Sequence, residues 1–282
     1  MIAHVRRFNR TVTQRVGALD DEFLARERPL GQSRVLWEIG AGPVDIRALR
    51  SRLDLDSGYL SRLLRALEHE GLVVVEPSPA DGRVRTARLT AAGEAERAEL
   101  DRRSDAAAGA LLGPLSTGQR DRLVAAMTEV ERLLTASAVT IAVREASEPD
   151  AAFCLQAYYD ELGERFDDGF DPGRSLPADG AELLVATLYG APVGCGAVLV
   201  HDGVAQIKRM WVSPSARGLG LGKRLLAELE ARAASAGAHV LRLETNRSLT
   251  EAINMYRSAG YEEVPAFNDE RYAHHWFEKR GD

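Results

Sequence analysis

Over residues 1–134 apolar side chains recur at helical spacing, with polar ones between them. In residues 2–28, Val5, Phe8, Val12, Val16, Leu19 and Phe23 form one apolar stripe, which predicts a helix ended by Pro29 and Gly31. Residues 33–40, SRVLWEIG, predict a second helix capped by Ser33 and packed through Val35, Leu36 and Ile39. Residues 43–53 read as a short helix and 54–56 as a turn. The clearest pattern is residues 57–70, where Leu60, Leu63, Leu64 and Leu67 fall at i, i+3, i+4 and i+7 and Gly71 closes the helix. Two β-compatible runs, 72–76 and 83–89, flank Asp81-Gly82 and predict a hairpin. Thr90 opens a helix that runs toward Gly113-Pro114, and residues 116–134 form a last amphipathic one. The small residues 135–138, TASA, read as a joint, and the domain boundary is placed there.

The pattern then changes period. Residues 139–144 alternate as a strand, 149–166 form a helix, and 167–182 form a polar loop. Residues 183–189 and 194–201 predict a hairpin, and 204–212 a further strand ended by Pro214. Gly218, Gly220 and Gly222 follow. Leu221, Leu225, Leu226 and Leu229 recur at helical spacing over a helix of residues 222–236, which Gly237 stops. A strand at 239–245, a helix at 250–259 and a final strand pair from Gly260-Tyr261 to residues 276–278 complete the chain. A strand, a glycine loop and a helix start in succession make an anion site, because free N–H groups and the positive end of the helix dipole converge; a pyrophosphate suits it. Lys223 is followed by Arg224, so the loop lacks the G-K-[S/T] ending of an NTPase phosphate loop, and no series of parallel βαβ units surrounds it.

Length and composition sharpen this. The 282 residues suggest about two domains, and 45% hydrophobic with 28% charged residues is ordinary for a globular chain. A net charge of −6 argues against coating nucleic acid through bulk charge, while leaving room for a local basic surface. Cys154 and Cys195 both sit in apolar contexts and read as buried free thiols in a reducing cytoplasm. No apolar run is long enough to span a bilayer, and the N-terminus lacks the apolar core of a signal peptide, so a cytoplasmic protein without a membrane partner is expected.

Arg217-Gly218-Leu219-Gly220-Leu221-Gly222 fits R-x-x-G-x-G and resembles the acyl-coenzyme A loop of the GNAT (Gcn5-related) N-acetyltransferases, with the resemblance running over roughly residues 139–279. It implies an α/β mixed-sheet acyl-CoA N-acyltransferase fold, acetyl-CoA as acetyl donor and no metal. By that resemblance, backbone groups of Met210, Trp211 and Val212 hold the pantetheine arm and the acetyl carbonyl. Arg217, Gly218, Leu219, Gly220, Leu221, Gly222 and Lys223 hold the pyrophosphate. Asn246 and AINMYRSAGY resemble the family's Asn–Tyr motif, making Tyr256 the general acid for the departing thiolate and a cofactor contact, with Asn246 and Asn254 holding the turn and the cofactor. Some members use a glutamate on the loop strand. Here Gln206 stands in the comparable place, leaving Glu244 or a water relay as the base. Of the adjacent His274 and His275, at most one faces the site, and a surface or packing role is expected for both. Acceptor recognition is assigned to Tyr158, Tyr159, Glu161, Arg165 and Gln206 with the 167–182 loop, and suits a small primary amine, an amino acid among the candidates.

In the first half, helix, turn, helix and hairpin follow the winged helix-turn-helix order. Ser57, Tyr59, Ser61, Arg62 and Arg65 remain once the leucines of residues 57–70 face the core. The hairpin carries Arg83, Arg85 and Arg88, and Asp81 is placed to hold an arginine. LSRLLRALEHEGLV followed by DGRVRTARLTAAG resembles the MarR family of transcriptional regulators over roughly residues 5–134. That implies a mainly α domain, a homodimer built from residues 2–28 and 116–134, and double-stranded DNA with a two-fold site. The domains are expected at 1–136 and 139–282. The combined expectation is a bifunctional regulator and acetyltransferase; the alternative is a regulator whose second half senses acetyl-CoA or an amine without turnover.

Overall fold

The computed structural model describes residues 1–15, 28–40, 42–78, 82–174 and 179–281. The chain divides into two compact units, Met1–Met127 and Thr128–Asp282.

The first unit contains α1 (Ile2–Arg15), α2 (Leu30–Ile39), β1 (Val44–Asp45), α3 (Ile46–Leu53), α4 (Ser57–His69), β2 (Val73–Pro77), β3 (Arg85–Leu89), α5 (Ala91–Leu112) and the start of α6 (Thr117–Ser137). Leucines 60, 63, 64 and 67 of α4 are all buried, against Val35, Leu36 and Ile39 of α2 and Leu49 of α3. Local chemistry sets the helix starts. Asp45 accepts from Arg47 and Ala48 N–H at 2.6 and 3.3 Å, Asp56 from Tyr59 N–H at 2.8 Å, and Thr90 Oγ1 from Gly93 N–H at 3.1 Å. Ser116 and Gln119 form a reciprocal capping box ahead of α6. β1, β3 and β2 form a small antiparallel sheet in that order.

Three expectations need correction. α2 begins at Leu30 rather than Ser33, because the Pro29 carbonyl already accepts from Gln32 and Ser33 N–H at 3.0 and 3.2 Å. Ser33 is therefore a buried residue inside the helix and not its cap. Residues 44–45 are not helical: they pair with Ala87 and Thr86 of β3 before α3 starts. Residues 135–137 continue α6. The expected first helix is seen as α1; its remainder, residues 16–27, and Asp81 lie outside the described residues. α1 and α6 bury none of their residues, and leave Ile2, Val5, Phe8 and Val12 and then Val124, Met127, Leu133 and Leu134 exposed.

The second unit is built on a seven-stranded sheet. In chain order its elements are β4 (Val139–Arg144), α7 (Pro149–Arg165), β5 (Glu182–Leu188), β6 (Ala191–His201), β7 (Val204–Val212), α8 (Leu221–Ser235), β8 (Val240–Thr245), α9 (Thr250–Ser258), β9 (Glu262–Val264) and β10 (His275–Arg280). The sheet order is β4-β5-β6-β7-β8-β10-β9. The leucines of α8 pack on one core with Leu184, Ile207 and Phe277; Ala151 and Cys154 of α7 pack on another with Val185, Cys195 and Trp211. Both cysteines are free and buried.

Two irregularities of β7 position the site. Cys195 pairs with Trp211 and Ala197 with Lys208, so Arg209 and Met210 together oppose Gly196 in a bulge, and Arg209 takes a left-handed φ of 56°. On its other edge β7 pairs with β8 in parallel at only three positions, from Val204–Val240 to Gln206–Arg242, after which the two strands part. Among the described residues, no helix is long and apolar enough to cross a membrane.

Gly93 exposes one packing constraint. A Cβ there would sit 2.0 Å from the Leu72 carbonyl oxygen, so the first turn of α5 fits against β2 only without a side chain. Gly93→Ala is expected to destabilise the first unit by about 1–3 kcal/mol in chemical unfolding; an unchanged midpoint would contradict this packing.

Candidate active site

The glycine loop begins where β7 stops. A 3₁₀ turn, Pro214–Ala216, leads into Arg217, and Gly218 and Gly220 take left-handed φ values of 80° and 75° before α8 starts at Leu221. Gly220 is the helix N-cap and has no side chain, so the first N–H groups of α8 stay open to a ligand. Arg217 anchors the loop. Its Nε donates to Val212 O at 3.1 Å, and its Nη2 donates to both Glu161 oxygens at 2.7 and 2.6 Å. Glu161 also accepts from the Trp211 indole at 2.9 Å and from Arg165 at 3.2 Å. Arg165 reaches on to Glu251 at 2.8 Å, which holds that carboxyl below its ordinary range, and to Ser248 O at 2.7 Å. Glu161 and Arg165 were expected to read the acceptor. The structure places both at the loop, because their charges are used in bracing Arg217 and α9.

A cavity of about 580 Å³ opens over this loop, in the size range of small-molecule sites. Of the residues assigned to the cofactor, Met210, Trp211, Val212, Arg217, Gly218, Gly220, Leu221, Gly222, Lys223 and Tyr256 line it. Leu219 packs against the core beneath. Asn246 does not line this cavity but lines a smaller neighbouring one, with its amide donating to Tyr272 O at 2.8 Å and its oxygen accepting from Ser248 N–H at 2.9 Å. Asn254 is exposed on α9 and lines neither cavity.

A second, smaller cavity of about 90 Å³ lies in the fork between β7 and β8. The rings of Tyr158, Tyr159, Phe166, Phe170 and Tyr272 form its wall, with Phe170 4.8 Å from Tyr272 and 5.8 Å from Tyr159. Asp171 N–H donates to the Tyr272 hydroxyl at 3.0 Å, which ties the 167–174 segment over the site. Arg209 Nη1 donates to the Tyr159 hydroxyl at 2.5 Å. Lys208 Nζ donates to Glu244 Oε1 at 2.7 Å, with both side chains more than nine-tenths buried. Glu244 Oε2 is buried with no hydrogen-bond partner among the described residues. Gln206 lines neither cavity; it lies where β7 is still paired with β8, opposite Arg242, before the strands part. Neither His274 nor His275 lines one; His275 instead pairs with Glu263 at 2.7 Å.

The two cavities adjoin. Tyr256, Tyr158 and Met210 line both, and Tyr256 is buried at their junction. Burial, and then the charge of Glu244, push the Tyr256 phenol above its ordinary range, so it remains protonated at neutral pH. Burial does the same for Tyr158. A protonated phenol, a buried carboxylate oxygen and an unpaired strand edge thus meet at one place. Sequence reasoning missed Lys208, Arg209, Phe170 and Tyr272 as individual residues. The signal available was two adjacent cations, Lys208 and Arg209, inside a mostly apolar strand.

On the first unit, Ser57, Tyr59, Ser61, Arg62 and Arg65 are all exposed on α4. The Arg62 guanidinium lies 5.7 Å from the Tyr59 ring centre, and Arg65 Nε donates to Ser61 O at 3.2 Å. Arg83 is exposed in the connection between β2 and β3; Arg85 Nη2 donates to Val75 O at 3.2 Å, and Arg88 pairs with Glu76 at 2.9 Å.

Comparison with known proteins finds a separate family pattern in each half of the chain. The acetyltransferase (GNAT) family pattern matches residues 141–261, and the MarR family pattern matches residues 28–84. An "IAA acetyltransferase" of Azospirillum brasilense is 39% identical over 90 residues, 31% of this chain; the match spans 59% of that relative's length. A Schizosaccharomyces pombe protein named as an uncharacterized N-acetyltransferase is 31% identical over 123 residues, covering 40% of this chain and 74% of that relative. Among solved structures, a Klebsiella pneumoniae protein named as an acyl-CoA N-acyltransferase is 30% identical, covering 50% of this chain and 97% of the other with a TM-score of 0.42. A Salmonella typhimurium protein named as an acetyltransferase and solved with its cofactor acetyl-CoA is 19% identical, covering 51% of this chain and 95% of the other with a TM-score of 0.39.

The buried ion pair gives a direct test of the fork. Lys208→Met strands the Glu244 carboxylate and is expected to cost about 3–5 kcal/mol of stability at neutral pH. Glu244→Gln in the same chain should recover much of it. Equal stability of Lys208→Met and the unaltered protein at neutral pH would contradict a buried, ionised pair.

Proposed function

We infer function from a plain premise: the chain belongs to the acetyltransferase (GNAT) family and carries a MarR-family domain ahead of it. The second unit transfers an acetyl group from acetyl-CoA to the amine of a small molecule, and the first unit reads double-stranded DNA as a homodimer. The observation that carries the enzymatic reading is the meeting of the two cavities at Tyr256.

The larger cavity fits an acyl-CoA. Its left-handed glycine loop opens N–H groups toward a pyrophosphate, and the edge of β7 beyond Gln206 has no ladder partner on the β8 side, leaving backbone groups for the pantetheine arm and the thioester carbonyl. The smaller cavity takes the amine. Glu244 Oε2 receives a proton from the incoming ammonium, while Lys208 holds the other oxygen of that carboxylate in place. The neutral amine then attacks the thioester carbon. As the C–S bond breaks, Tyr256 gives its proton to the leaving thiolate and regains one from the nitrogen, which loses it on becoming an amide. The products are the N-acetylated amine, free coenzyme A and the proton held on Glu244. The ring-lined wall and the Arg209 guanidinium suit an acceptor that joins an apolar body to a polar or acidic group.

For the first unit, the exposed hydroxyls and arginines of α4 and the Arg83 hairpin support contact with bases and phosphates. The apolar side chains left exposed on α1 and α6 support a dimer, and hence a two-fold site.

A panel of small amines should reveal release of coenzyme A from acetyl-CoA, and Tyr256→Phe should lower kcat by about a hundredfold or more. Acetyl-CoA binding without turnover across a broad panel would favour a sensor over an enzyme. In DNA-binding measurements at fixed salt, Arg62→Ala with Arg65→Ala should weaken two-fold-site binding by at least about tenfold; unchanged affinity would remove α4 as the reading helix.

A further inference from the structure

We propose that Arg132, on α6 ahead of the first strand of the acetyltransferase fold, is a cofactor-positioning residue. Its Nη1 donates to the Gly218 carbonyl at 2.7 Å, across 86 positions of sequence. Gly218 is the first left-handed glycine of the loop, and Arg132 lines the larger cavity beside it. The guanidinium is itself held. Its Nε and Nη2 donate to the two oxygens of Glu129 at 2.8 and 2.6 Å, which raises the arginine's pKa and lowers the carboxyl's. The end of α6 is fixed a second time, by Arg224 of α8 donating to the carbonyls of Ala136 and Val139 at 2.7 and 3.1 Å.

An arginine on this oxygen has two effects. It cancels the negative end of a peptide dipole beside the cradle, which would otherwise repel a phosphate. It also brings a positive charge to the cavity rim, with N–H donors of Nη1 and Nη2 left over for an anion. The side chain is partly exposed and shares its charge with Glu129, so the effect is a several-fold one and falls with added salt. The glycine motif contains no sign of this residue. The cradle of residues 217–223 draws one of its contacts from a helix whose pattern reads as part of the preceding domain.

This inference rests on the acetyl-CoA reading above, and the experiment separates the two. Coenzyme A binding is measured by calorimetry on the full-length protein and on Arg132→Ala and Arg132→Lys, with steady-state kinetics alongside. Arg132→Ala should weaken coenzyme A binding and raise KM for acetyl-CoA by about three- to tenfold while kcat at saturation is unchanged. Arg132→Lys, which keeps the charge and a donor, should recover part of the loss. Equal affinity of Arg132→Ala and the unaltered protein, or a fall in kcat with KM unchanged, would overturn the positioning role and leave the acetyl-CoA reading standing. An unaltered protein that does not bind coenzyme A would overturn both.

Discussion

The parallel ladder between β7 and β8 ends at Gln206–Arg242, and the second unit is arranged around what that ending leaves open. A continued ladder would have bonded the edge of β7 to its neighbour and filled the space between the strands. The bulge at Arg209–Met210 keeps β7 bound to β6 while turning it away on the other side. Two positions past the last paired residues, Lys208 and Glu244 face each other across the gap as a buried ion pair. A pair of this kind is costly to bury and adds little net stability, so its presence at the fork fits chemistry better than support. Tyr256 closes the gap from α9, and the glycine loop receives the end of β7.

The same economy appears around the loop. Glu161 gathers Trp211, Arg165 and Arg217, so one carboxylate fixes the strand end, the loop and the start of α9 together. Such bracing holds N–H groups in place before a ligand arrives, which is where a preorganised anion site obtains its strength. In the first unit the buried leucines of α4 fix which of its side chains face solvent, and those are the hydroxyl and arginine residues. α1 and α6 are different: among the described residues neither helix buries a side chain, and both leave apolar residues exposed.

Much of this was legible in the sequence, for definite reasons. The i, i+3, i+4, i+7 leucines fixed α4, alternating patterns located the strands, and the glycine loop with AINMYRSAGY located the larger cavity and Tyr256. What the sequence hid were contacts between distant segments. Glu161 and Arg165 lie on a helix whose tyrosines line the smaller cavity, and nothing local shows that their charges are taken up by Arg217 and Glu251. Asn246 holds the turn after β8 through Ser248, as its motif implies, but nothing local shows that its amide also reaches Tyr272. Ser33 has the chemistry of a cap, but Pro29 starts the helix first. The pairing of Lys208 with Glu244 depends on where a ladder stops, and hydrophobic periodicity does not carry that information.

The central claim is that one path through the second unit brings an acyl thioester to Tyr256 from one side and an amine from the other. The most direct measurement is a crystal structure of the protein with acetyl-CoA. It should show the pyrophosphate on the N–H groups of the 217–223 loop and the thioester between β7 and β8, with its sulfur within hydrogen-bond reach of the Tyr256 hydroxyl. Acetyl-CoA bound with its thioester away from Tyr256, or an empty cavity at saturating ligand, would contradict the account.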